Sequence, residues 1–206
     1  MRKQGLILVV LIAGCAAQFA ACTPAPVPAA TTTTTVAWRD CYLRGPNRDL
    51  SGCDLSYQRL EYASLTNVNL TNANLTNAYL MVANLEGANL TNADLTRADL
   101  DAAYLPGAKF GGAIMSGANL RQATLNNADL SGADLRLLNL GIAQLINANL
   151  TNVNLSGANL IAADLAGANL TNATLTDANL DSVIWSNTTC PNGVVQSTEC
   201  PRTAAG

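Results

Sequence analysis

The feature that most constrains this chain is a pair of residues that returns every five positions from Ala63 to Leu180. With Leu65, Leu70, Leu75 and their successors as centres, 22 of 24 centres are Leu, the exceptions being Phe110 and Met115. Two residues before each centre, 21 of 24 positions are Ala, and Val68, Leu138 and Val153 are the departures. On an α-helix five residues turn through about 500°, so successive Leu would step about 140° around the axis and share no face. A long amphipathic helix is excluded. Within each unit Ala and Leu stand two apart, which is the alternation of a strand with one buried face. The other three residues then face outward and turn a corner. Asn or Asp usually precedes Leu, while Thr, Ser, Gly and Asn dominate the two positions after it. These are turn formers with local side-chain hydrogen bonds. A short extended side and a corner, repeated, coil the backbone into a solenoid.

The units Ala73–Asn77 and Ala148–Asn152 (Ala-Asn-Leu-Thr-Asn), Ala128–Gly132 (Ala-Asp-Leu-Ser-Gly) and Ala163–Gly167 (Ala-Asp-Leu-Ala-Gly) resemble the pentapeptide-repeat family. The resemblance implies an all-β fold, a right-handed quadrilateral β-helix with four units per coil, with Leu and the small residue pointing inward. From Leu50 to Trp185 there are 28 centres without a break, about seven such coils. At roughly 4.8 Å per stacked layer the rod is about 34 Å long. Each coil touches only its neighbours, so the open ends are the weak points.

The flanks read differently. Residues 1–14 carry Arg2 and Lys3 before an apolar run from Leu6 to Ala13, the outline of a signal peptide and too short for a transmembrane helix. Ile12-Ala13-Gly14-Cys15 resembles the bacterial lipoprotein cleavage box, which implies lipid attachment to Cys15; cleavage near Ala21 or an uncleaved anchor are the alternatives. Residues 15–37, rich in Ala, Pro and Thr, are expected to be a tether. Residues 38–62 are expected to form an N-terminal cap and first coil, because Arg48, Cys53 and Gln58 stand where later units place Ala. The regular repeat then spans 63–185. Within it Phe110, Met115 and Pro106 are irregularities, and Leu138 in an Ala slot must push the wall outward or face out. Residues 186–206, with Pro-Asn-Gly turn chemistry, are expected to be a C-terminal cap on whose last coil Val194 and Val195 lie.

The six cysteines are Cys15, Cys22, Cys41, Cys53, Cys190 and Cys200. With Cys15 lipidated, two local pairs remain at opposite ends, Cys41 with Cys53 and Cys190 with Cys200, and Cys22 is left over. In an oxidising compartment each bridge contributes about 2–4 kcal/mol where a solenoid frays. Zinc is disfavoured, since neither spacing is CxxC and the chain has no His. The absence of His also removes the usual general base, so no catalytic, metal or cofactor site is assigned. Asp before Leu at seven positions interchanges with Asn at 11 others, as a hydrogen-bonding structural role expects. Asn-Leu-Thr triplets such as Asn69–Thr71 fall out of the repeat and carry no glycosylation signal of their own.

Two functional classes follow. Some cytoplasmic pentapeptide-repeat proteins mimic duplex DNA and bind DNA gyrase. Here Arg48 to Trp185 holds six basic and twelve acidic residues, net −6. B-DNA carries a charge about every 1.7 Å, or roughly twenty over such a rod, so mimicry of DNA before a gyrase-type topoisomerase is the weaker reading. No basic patch points to nucleic acid. The favoured class is a non-catalytic, exported structural or protein-binding module of the bacterial envelope, held at a membrane by lipid, with an unidentified protein partner or a second copy. In a 20-residue register Tyr62, Val82, Ala102, Ile142 and Ala162 share one corner column, interrupted by Gln122, with Met81 and Ile161 beside it. Leu137 and Ile146 are expected near the Ile142 end, which makes a candidate interaction patch.

Overall fold

The computed structural model describes Cys41 and residues 45–201, all within one unit of the chain, Thr35–Gly206. The expected signal peptide, Cys15, Cys22, the tether and Trp38 lie outside the described residues.

In every unit the residue before the centre pairs in parallel with the residue twenty positions on, from Asp49 with Asn69 to Asn169 with Thr189. Twenty residues are four units, so the bridges form four columns, which we number as faces one to four by their first members Asp49, Asp54, Arg59 and Ser64. Leu centres and Ala slots point inward and are buried from Leu65 to Leu180, Phe110 and Met115 included, while Ala63 and Val183 near the two ends are partly buried. The core is this one continuous stack, dry and narrow, because Leu fills the middle while Ala lets the walls approach.

The backbone is satisfied by a five-part scheme. In the unit Leu70–Asn74, Leu70 N–H and Asn72 N–H donate to Asn89 and Thr91 carbonyls of the next coil at 2.7 and 3.0 Å. Asn74 N–H donates to Cys53 of the previous coil at 2.9 Å, and Ala73 N–H to Leu70 across the turn at 3.0 Å. The fifth donor, Thr71 N–H, bonds Asn69 Oδ1 at 3.2 Å. No amide of the unit is left to water, which is what makes a strand of so few residues stable in a stack. The corner residue, Asn72, has φ of 57°, as a type II turn requires at its third residue. Pro106 fits this scheme. It occupies the fifth-donor position, and Tyr104 before it has no carboxamide or carboxylate to receive an N–H. With Gly107 next at φ 65°, Leu105–Ala108 is the Pro-Gly form of the same turn.

Leu138 is buried and the wall has opened. Among the described residues, the cross-coil amide bonds are missing at Gly112, Met115, Gly117, Asp134 and Asn154, all on the second face and its two corners. Beside them Asn139 N to Ala118 O stretches to 3.4 Å, against 3.0 Å for Asn119 N to Ala98 O one coil earlier. A Leu in an Ala slot overfills this part of the core, where Met115 stands in place of a Leu, and the backbone moves rather than the side chains.

At the N-terminal end Cys41 is joined to buried Cys53, with Cα atoms 5.6 Å apart. The C-terminal end corrects the expected boundary, since the ladder runs past Trp185. Thr188 and Cys190 take the Ala and Leu slots and are buried, and Leu170 N–H and Asn172 N–H bond Thr189 and Pro191. The Thr188 hydroxyl donates to Leu165 O at 2.8 Å, satisfying the one buried polar side chain among the described residues. The chain then reverses through Pro191–Gly193, so that β1 (Thr188–Thr189) pairs antiparallel with β2 (Val195–Gln196), and Cys190 is joined to Cys200. Val194 and Val195 are exposed on this hairpin rather than packed on the last coil.

Candidate interaction surface

All seven Asp and all eleven Asn that precede a centre accept the amide two residues on, Asp49 from Ser51 and Asn179 from Asp181 for example. The Asn also stack. Asn159, Asn139 and Asn119 each donate Nδ2 to the Oδ1 one coil earlier, ending on Asp99, at 3.2, 3.1 and 3.0 Å. Asn69, Asn74 and Asn149 donate in the same sense to Asp49, Asp54 and Asp129. An Asp cannot donate, so it belongs at the start of such a ladder. Asp49 and Asp54 begin their columns, and Asp99, Asp129, Asp134 and Asp164 stand over Tyr79, Lys109, Ile114 and Gln144; only Asp94 stands over an Asn. These donors also hold carboxyls down. The Ser51 hydroxyl and amide, then Asn69, keep Asp49 below the usual carboxylate range, and Ser56 and Asn74 do the same for Asp54. The repeated polar residues are therefore consumed by the wall, Asn69 of the Asn-Leu-Thr triplet among them.

What remains for recognition is the corners. Every corner residue has φ between 53° and 69° from Asn47 to Asn187. Only Gly, Asn and Asp adopt this region readily; for other residues it costs roughly 1–2 kcal/mol, and for β-branched ones it is an outlier. The corner between faces four and one carries only Asn and Gly, from Asn47 to Asn187, and so does the corner between faces one and two, from Gly52 to Asn172. The corner between faces three and four carries neither. Its seven residues are Tyr62, Val82, Ala102, Gln122, Ile142, Ala162 and Ser182, all left-handed.

Along that corner Tyr62 is 79 % exposed, Val82 45 % and Ile142 47 %, and Met81 and Ile161 stand exposed in the adjoining column. Leu137 and Ile146 do not join them. Leu137 is 72 % exposed but sits on the corner before, between faces two and three, and half-buried Ile146 on the corner after, where Asn126 Oδ1 accepts its amide. The register reading missed three exposed side chains that flank the corner, Tyr79 on face three and Tyr104 and Ile184 on face four. The same count of twenty would have found them. In the adjoining column Arg121 Nη1 lies 3.9 Å from Asp101 Oδ1, a charge contact too long for a hydrogen bond, and that buried oxygen has no hydrogen-bond partner.

Leu137 lines a separate cleft of about 520 Å³ with Ser116, Arg136, Ser156, Gly157 and Asp177, beside the opened wall. Its cation is already engaged. Arg136 Nε and Nη2 grip Asp134 at 2.8 and 2.6 Å, which holds the Asp134 carboxyl below its ordinary range. Among the described residues no group of three or more His, Cys, Asp and Glu is placed to hold a metal, and no helix is long and apolar enough to cross a membrane.

None of the curated proteins matches the chain. The family model for pentapeptide repeats matches it in eight copies, over residues 49–81, 83–117, 103–141, 113–152 and 143–181. Among solved structures, HetL, a pentapeptide repeat protein involved in heterocyst differentiation regulation in the cyanobacterium Nostoc, is 30% identical over 73% of this chain and 88% of its own, with a TM-score of 0.22. A pentapeptide repeat protein of the Arabidopsis thaliana thylakoid lumen is 30% identical over 64% of this chain and 67% of its own, TM-score 0.26. Trypsin-treated QnrB1, a plasmid-mediated fluoroquinolone resistance protein, is 22% identical over 67% of this chain and 77% of its own, TM-score 0.49.

Proposed function

The chain belongs to the pentapeptide-repeat family, and on that premise we propose that it is a non-catalytic, exported protein-binding module of the bacterial cell envelope, a right-handed β-helix of about seven coils. Its binding surface is the corner between the third and fourth faces. One observation carries this reading: seven consecutive corner positions with positive φ avoid both Gly and Asn, although two of the other corners use nothing else. Side chains kept against a conformational cost of several kcal/mol are kept for contacts outside the fold. The bridges and ladders need none of them.

Export rests on the composition of residues 1–14 and the lipobox-like Ile12–Cys15. With Cys15 lipidated and residues 15–37 as tether, the rod stands off a membrane in the periplasm or at the cell surface, where the two end disulfides are stable. The test is cell fractionation with mass analysis of the mature N-terminus. A membrane-bound chain beginning at lipidated Cys15 is the expected result. A cytoplasmic chain retaining Met1 overturns export and favours the topoisomerase-binding alternative.

A further inference from the structure

We propose that Asn192, at the tip of the C-terminal hairpin, is a site of spontaneous deamidation, and that its conversion to an isoaspartyl linkage loosens the cap. The inference stands apart from the binding corner and takes up the Pro-Asn-Gly motif, which the solenoid ladder does not use.

Asn192 is the only Asn in the chain followed by Gly; elsewhere a side chain on the next residue crowds the main-chain nitrogen that has to attack. The fold presents this pair in the open. Pro191 is buried and its carbonyl accepts Asn172 N–H at 2.9 Å, which ties the loop to the last coil, while Asn192, Gly193 and Val194 are exposed. Asn192 Oδ1 accepts Val194 N–H at 3.1 Å. A donor therefore sits on the oxygen that gains negative charge when the side-chain carbon is attacked, as in an oxyanion hole.

The chemistry needs only solvent. A base from the buffer takes the Gly193 amide proton, the nitrogen adds to Asn192 Cγ, and ammonia leaves as the cyclic imide forms. Water then opens the ring. Attack at the main-chain carbonyl routes the backbone through the former side chain as isoaspartate, and attack at the other carbonyl gives Asp. Gly193 N–H donates to Cys190 O at 2.8 Å, and this bond must open first. Opening one exposed turn bond lowers the rate only about fivefold. The isoaspartyl product lengthens the turn by a methylene and adds a negative charge, so the Gly193 to Cys190 bond and the Cys190 N–H to Val194 O bond, 2.9 Å, lose their register.

The test is incubation of the full chain in warm neutral buffer, then methyl labelling by an isoaspartyl methyltransferase with the label located by mass spectrometry. Label at 192 is expected to exceed that at any other Asn at least about tenfold. Asn192→Gln, whose longer side chain closes a ring slowly, is expected to carry none there. Converted chains should exchange the Cys190 amide about tenfold faster than fresh ones. Label spread over the Asn of the repeat, conversion of Asn192 only after reduction and unfolding in urea, or unchanged exchange at Cys190 in converted chains overturns the proposal.

Discussion

At the residue scale this protein separates two uses of Asn. Before a centre Asn receives an amide from its own corner, and Asn69, Asn74, Asn119, Asn139, Asn149 and Asn159 also hand a hydrogen to the coil before; at the corner Asn supplies a left-handed φ. Asn139 does the first with Gly141 N and Asn119 Oδ1. Asn139→Asp keeps the acceptor, loses the donor and sets two oxygens together, so unfolding in urea should show a loss of about 1 kcal/mol. Asp99→Asn, over Tyr79, should change stability by only a few tenths. The corner gives the opposite sign. Val82 is β-branched at φ 57°. Val82→Asn should raise monomer stability by about 1 kcal/mol in thermal denaturation of dilute protein, because the replacement is at home in that conformation. A loss of stability there would mean that the Val82 side chain serves the fold, not a partner.

At the element scale the coil was legible from the spacing of Leu and Ala alone, since inward pairs two apart allow one extended side per unit. The Asn and Asp interchange was legible as structural, but the rule that Asp starts a ladder was not, because it depends on which residue lies twenty positions earlier. The end of the ladder was misread for a similar reason: Thr188 and Cys190 keep the five-residue spacing without looking like Ala and Leu. Leu138 was readable as an overfilled slot, and the structure supplies which way the strain is released. The opened wall should exchange its hydrogens early. The amides of Met115, Gly117, Asp134 and Asn154 should lose protection well before Leu95, Arg97 and Asn74, their bonded equivalents on the same face and corner. In Leu138→Ala, where the slot regains the residue most other units use, that difference should shrink.

At the scale of the whole molecule the solenoid is a sum of neighbour contacts closed at each end by a disulfide, with one corner set apart from the other three. The candidate surface was half visible in the sequence. Counting by twenty aligned Tyr62, Val82 and Ile142, but nothing in composition says that their backbone is left-handed, and that conformation is what turns scattered apolar residues into a feature demanding a purpose. Leu137 and Ile146 were drawn in by closeness in number and excluded by the corners that hold them. Both the wall and the corner depend on a register of twenty residues per coil. The most direct check is a spin–spin distance between nitroxides at Asn72→Cys and Asn172→Cys, with Cys15 and Cys22 changed to Ser. These positions lie on the corner farthest from the proposed interface, a hundred residues and hence five coils apart. A narrow distribution near 24 Å, five layers of about 4.8 Å, is the predicted result. A broad distribution, or a mean far beyond that value, would contradict the register and everything built on it.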